Sequence, residues 1–121
     1  MVKIEKIGQS ATKILFYFSY VIERGSLKMF YPLIINEITT KYLISQNGEI
    51  KNIKTNKILK GTIRNGYKMV KLTIEGKKKD YLVHRLVAMT FLDNPLNLPQ
   101  VNHKDKNKLN NCVFNLEWVS I

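Results

Sequence analysis

Residues 100–121, QVNHKDKNKLNNCVFNLEWVSI, decide how this chain is read. The stretch opens as a short strand around Val101 and passes through a polar loop holding Asn107, Asn110, Asn111 and Asn115. It closes as a second strand over residues 116–120 (LEWVS). Two short strands joined by an asparagine-rich loop bring side chains from both ends of the segment to one place. Working outward, residues 83–92 (VHRLVAMTFL) place Val83, Val87 and Phe91 four apart, with Leu86 and Thr90 beside them. That stripe predicts a helix lying with one face on a sheet. Asp93-Asn94-Pro95 ends it, because a residue before proline avoids the helical region.

Upstream of the helix the texture, from Phe30 on, is of short strands and turns. Residues 67–74 (YKMVKLTI) alternate, with Val70, Leu72 and Ile74 on one face and Tyr67, Met69, Lys71 and Thr73 on the other. Glu75-Gly76 turns the chain and residues 77–83 return. Asn47-Gly48 and Asn65-Gly66 are tight-turn signals, since both residue types tolerate positive φ. They delimit further β-prone runs at 41–45 (KYLIS), 49–53 (EIKNI) and 57–60 (KILK). The expected fold is therefore α+β: a small antiparallel β meander with lysines on one side, one packed helix, and the strand–loop–strand unit.

With 121 residues the chain is one domain or two very small ones. It carries 20 Lys+Arg against 9 Asp+Glu, a net charge of +11. Residues 41–85 hold 12 Lys/Arg and 3 Asp/Glu, whereas residues 86–121 hold 3 of each. A local field of that size marks a face for a polyanion, with nucleic acid first and an anionic membrane surface second; a solvated basic sheet without a partner is the bland alternative. The phosphate-contacting set is expected to be Lys51, Lys54, Lys57, Lys60, Arg64, Lys68, Lys71, Lys77, Lys78 and Lys79. Arg85 joins them at the start of the helix, where the backbone dipole favours anions. Asn52, Thr55, Asn56 and Arg64 are polar enough to read base edges, although turn chemistry explains the Asn and Thr equally well.

Other features exclude classes. A lone Cys112 allows no internal disulfide and no multi-cysteine zinc cluster, so a reducing compartment fits. With only His84 and His103 beside it, a Cys/His structural zinc site is not expected. The apolar run 14–22 (ILFYFSYVI) is nine residues long, too short to span a bilayer. Glu23 and Arg24 follow it instead of a small-residue cleavage site, so it reads as a buried helix or strand, or as an extension. The expectation is a cytoplasmic, non-secreted chain with no membrane partner.

Cutting a phosphodiester needs a base near the attacking water and a cation near the leaving oxygen. Histidine suits the first role because its unperturbed pKa lies near neutrality; oxygen ligands suit Mg²⁺ in the second. Asn102-His103 sets an amide oxygen beside an imidazole, but strand neighbours point to opposite faces, so both reach one site only where the strand ends or twists. Asn115, twelve residues on, can bridge the loop and so fix the direction of the histidine. The competing reading is a structural histidine in a surface loop rich in Asn. His84 reads as a packing or capping residue, and Phe114, Leu116 and Trp118 as core under the loop.

The pieces VHRLVA (83–88), FLDNP (91–95), VNHKD (101–105), NKLNN (107–111) and NLEWVS (115–120) together resemble the HNH module of phage and intron-encoded homing endonucleases. YLISQNGEIKN (42–52) and NGYKMVKL (65–72) are similar to the DNA-binding β module that often precedes it. The resemblance covers roughly residues 30–121. It implies a ββα-metal fold in which His103 is the general base, Asn102 a metal ligand and Asn115 the middle asparagine that constrains the loop. A single Mg²⁺ or Mn²⁺ would stabilise the departing 3′ oxygen, the partner would be double-stranded DNA in a phage-infected or bacterial cell, and no small-molecule cofactor is called for.

In that family a helix follows NLEWVS and brings a last ligand, whereas this chain ends at Ile121. The expected organisation is an extension over 1–28, a β-rich DNA-binding module over 29–82, and an HNH module over 83–121 lacking its final helix. Met29, directly before FYPLI, reads as an ancestral start. The alternative function is a catalytically inactive DNA-binding remnant or regulator. An RNA-binding domain ranks third, because no interleaved aromatic platform of the RNP type is present.

Overall fold

A computed structural model describes residues 19–23 and 26–121. Four strands make the first antiparallel sheet in the order β1-β2-β3-β4: β1 (Ser19–Glu23), β2 (Ser26–Ile35), β3 (Ile38–Ser45) and β4 (Ile50–Asn52). A three-stranded antiparallel sheet follows, β5 (Thr62–Arg64), β6 (Tyr67–Ile74) and β7 (Lys77–Leu82), and leads directly into helix α1 (Val83–Phe91). The last unit is the two-stranded hairpin β8 (Gln100–His103) and β9 (Leu116–Val119), with a single 3-10 turn, Val113–Asn115, before β9. Of the apolar run 14–22, residues 14–18 lie outside the described residues and residues 19–22 belong to β1. Most of the 1–28 extension also lies outside them, and β2 runs across the 28/29 division.

The turn chemistry explains why these strands pair as they do. Asn65 and Gly66 take φ of 53° and 83°, both positive as a two-residue hairpin with right-handed strand twist requires. Arg64 therefore faces Tyr67, and the register runs on to Thr62 opposite Met69. Asn36 and Glu37 do the same between β2 and β3, at φ 50° and 67°. On β6 the expected alternation holds: Val70 and Leu72 are buried while Lys71 and Thr73 are exposed. The run 57–60 departs from expectation. Ile58 makes one isolated bridge to Lys51, after which Gly61 at φ 68° swings the chain toward β5.

One core serves all three sheets. Val83, Leu86, Val87 and Phe91 of α1 pack with Leu33, Ile44 and Ile50 from the first sheet, Val70 and Leu72 from the second, and Val113 and Leu116 from the hairpin. Burial of each such side chain contributes roughly 1.5–3 kcal/mol. The Tyr42 hydroxyl accepts a 3.0 Å bond from the Thr73 N–H, tying the second sheet to the first. Leu116 is core as expected, and Trp118 is half-buried with its indole N–H on the Leu92 carbonyl at 3.3 Å. Phe114 is not core. It sits 72% exposed because the 3-10 turn directs Val113 inward in its place.

Candidate active site and nucleic-acid interface

Strand alternation separates the Asn102–His103 pair. His103, the last residue of β8, turns inward and is only 5% exposed, while Asn102 is exposed on the outer face. Asn102 lies opposite Glu117 in the register and donates its amide to Glu117 Oε2 at 2.8 Å. That leaves Asn102 Oδ1 and the Glu117 carboxylate as neighbouring oxygens on the outer side of the hairpin. Such hard oxygens suit Mg²⁺ or Mn²⁺. Among the described residues no group of three or more His, Cys, Asp or Glu side chains converges.

The inward face of the hairpin holds the imidazole in polar and aromatic company, not in hydrocarbon. His103 Nε2 lies 2.9 Å from Asn111 Oδ1. An amide oxygen only accepts, so Nε2 carries the hydrogen and a neutral ring keeps its lone pair on Nδ1. The His84 ring lies 4.8 Å from it between centroids, inclined at 41°. Tyr67 stacks on His84 at 5.1 Å and 21°, and stands 6.1 Å from His103. Lys108 Nζ lies 4.7 Å above the Tyr67 ring. His84, 6% exposed, has its pKa pushed down to about 4, chiefly by burial, then by His103 and Arg85. It packs within the helix start without capping it, since the N-cap is Leu82.

Asn115 closes the loop through three side-chain bonds. Its amide donates to Asp105 Oδ1 and to the Asn110 carbonyl, each at 2.9 Å, and its Oδ1 accepts the Asp105 N–H at 3.1 Å. Its carbonyl accepts the Lys104 N–H at 2.7 Å. Asp105 is a hub of the same network. The Asn110 amide, the Asn107 N–H and the Asn115 amide hold its carboxyl below the usual range. The imidazole itself is bonded by Asn111, a residue that sequence reasoning left among the loop asparagines. Only its burial, at 5% exposure, sets it apart from Asn107 and Asn110.

The basic residues divide in a way the sequence did not foretell. Lys54, Lys57, Lys60, Arg64, Lys71, Lys77, Lys78 and Lys79 are exposed and Lys68 is half-buried, spread over β5–β7 and the loop before them. Lys51 does not belong with them. Pairing of β4 with β3 turns it inward to 3% exposure, and its ammonium lies 4.7 Å over the Phe30 ring. Arg85 is half-buried, donating to the Pro99 carbonyl at 3.0 Å and lying 5.8 Å over the Trp118 ring. Arg64 meets Asp80 at 3.5 Å. Asn52 Oδ1 accepts the N–H groups of Lys54 and Thr55, so it is spent on a turn. No described helix is long and apolar enough to cross a membrane.

Comparison with known proteins joins these features. The NUMOD4 motif model matches residues 34–73. An "Uncharacterized HNH endonuclease" of Acanthamoeba polyphaga mimivirus is 49% identical over 79 residues, covering 65% of this chain and 24% of that protein. DNA endonuclease I-HmuI of Bacillus phage SP01 is 44% identical over 80 residues, covering 65% of this chain and 46% of that one. The chain thus spans less than half the length of these curated relatives. A solved structure described as DNA binding and cleavage by the HNH homing endonuclease I-HmuI superposes with a TM-score of 0.64 at 42% identity, over 72% of this chain and 51% of that chain. In sequence and in its α+β fold, this chain is similar to HNH homing endonucleases, and residues 34–73 carry a NUMOD4 motif.

Proposed function

We propose that this chain binds double-stranded DNA through its basic sheet and hydrolyses a phosphodiester, with His103 as general base and one divalent cation held by Asn102. The observation that carries the reading is the bond from His103 Nε2 to Asn111 Oδ1, which leaves the lone pair on Nδ1 for a water. A base needs only one lone pair open to one water, so a ring 5% exposed can serve. Asn115 and Asp105 hold the loop that follows the histidine, limiting movement of its backbone. Asn102 would hold Mg²⁺ or Mn²⁺ through its side-chain oxygen, and the ion would supply positive charge for the departing 3′ oxygen. The exposed lysines of β6, β7 and the 54–60 loop neutralise the backbone and seat the duplex.

A second reading, DNA binding without cleavage, is favoured by the donor set: Asn102 and Glu117 are a small complement of oxygens for a cation. Incubating supercoiled plasmid with the chain and Mg²⁺ or Mn²⁺, beside His103→Ala, separates the two. Nicking by the wild type that disappears in the variant supports the enzyme. Equal, salt-sensitive binding by both with no nicked product at any metal concentration supports the non-cutting reading and contradicts ours.

A further inference from the structure

We propose that His84, backed by Tyr67, is a positioning residue that limits the rotation of the His103 ring by tilted ring-to-ring contact, a role resting on the assignment of His103 as base. A histidine ring turns about χ2 in broad, roughly two-fold wells. One hydrogen bond at Nε2 tethers an edge of the ring but sets its plane only loosely. A neighbouring ring narrows that freedom, and His84 stands 4.8 Å away between centroids, inclined at 41°. His84 is in turn covered by Tyr67, stacked at 21°, and Lys108 closes the column 4.7 Å above the tyrosine.

Four elements converge on this column. His84 comes from the first turn of α1, Tyr67 from the start of β6, His103 from the end of β8, and Lys108 from the loop beyond it. The close approach of Lys108 depends on the hairpin turn: a Cβ on Gly66 would meet Lys108 Cδ at 3.1 Å. The basic hairpin and the imidazole are thereby parts of one stack, so a duplex seated on the hairpin meets a ring whose direction is already set. The column is not hydrocarbon filling. His84 is kept uncharged by its surroundings, which leaves a neutral ring against a second imidazole.

Two substitutions separate ring contact from simple space filling. His84→Phe keeps a planar ring, whereas His84→Leu keeps bulk without one. Since the chain has only two histidines, His103 gives the sole imidazole signals in either variant. Long-range proton–nitrogen spectra at a pH where imidazole is neutral then read its tautomer. The expected result is a single Nε2–H tautomer in the wild type and in His84→Phe, and a mixture of both tautomers in His84→Leu. The same tautomer in both variants overturns the proposal, and so does its loss from both. If His84→Leu does not fold, His84→Met, which also keeps bulk without a ring and leaves His103 as the sole imidazole, is read in the same way. Nicking should fall about 10- to 100-fold in His84→Leu and recover in His84→Phe, as a misaimed base requires. A wild type that never nicks defeats the nuclease assignment while the spectra still decide the positioning.

Discussion

Asn111 and His84 are the residues that turn a surface loop into a defined environment for one imidazole. Asn111→Ala removes the acceptor from His103 Nε2 and leaves a buried N–H without a partner, a cost of about 1–3 kcal/mol. It should lower nicking about 10- to 100-fold while DNA affinity, measured by gel shift, stays within about twofold. His84 couples the same site to pH. Its proton leaves near 6.5 in the unfolded chain and near 4 in the native one, where burial, His103 and Arg85 oppose the charge. Between those values the unfolded state binds more protons. This contribution is therefore complete above pH 6.5 and is lost as pH falls toward 4, by up to about 3 kcal/mol at 1.36 kcal/mol per pKa unit. Urea denaturation at pH 7 and pH 4.5 should show that loss, and His84→Phe should show less of it. At this scale His103 was singled out in the sequence as a candidate through its neighbour Asn102 and the resemblance of residues 101–105 (VNHKD). Asn111 was not, because four loop asparagines look alike until burial distinguishes them.

Elements whose local chemistry is strong were legible, and those set by long-range contacts were hidden. The Asn65-Gly66 hairpin and helix α1 follow from residue type and apolar spacing. Strand β2 was obscured by Pro32, which lacks an N–H and sits at an irregularity in the β2–β3 register. The Asn36-Glu37 turn carries no glycine, although both residues adopt positive φ. Most of what places Asn111 is also an element-scale effect. Gly48, at φ 84°, lets the β3–β4 turn approach so closely that an added Cβ would meet Asn111 Cβ at 3.0 Å and Val83 Cγ1 at 3.1 Å. Gln46 of the same turn accepts the Val113 N–H at 2.8 Å. Gly76, at φ 79°, has nothing within 4 Å of such a Cβ. Gly76→Ala should therefore cost about 1–2 kcal/mol from backbone strain alone. Gly48→Ala should cost visibly more and shift the Asn111 side-chain resonances; equal denaturation midpoints for the two variants would argue against the close approach.

For the whole molecule, charge was legible as a total but not as a surface. Composition locates the basic excess in residues 41–85, yet it cannot tell Lys51, turned into the core at 3% exposure, from its exposed neighbours. DNA binding should weaken linearly in log–log plots against salt. Replacing Lys77, Lys78 and Lys79 together with Ala should lessen the slope by up to about 2.7, at 0.9 per phosphate neutralised. Lys51→Met should leave the slope unchanged. The division into modules reads differently at this scale as well, since one core runs from Leu33 to Leu116 and the hairpin turn of β5–β6 touches the loop after His103.

Single-turnover cleavage of duplex DNA, with protein in excess and bound fraction measured in parallel, tests the role of His103 most directly. The wild type should cleave in Mg²⁺ or Mn²⁺, and His103→Ala, bound to the same extent, should be slower by about 10²–10⁴-fold, the range for loss of a general base. Equal rates for the two proteins at equal occupancy would contradict the assignment of His103 as the base.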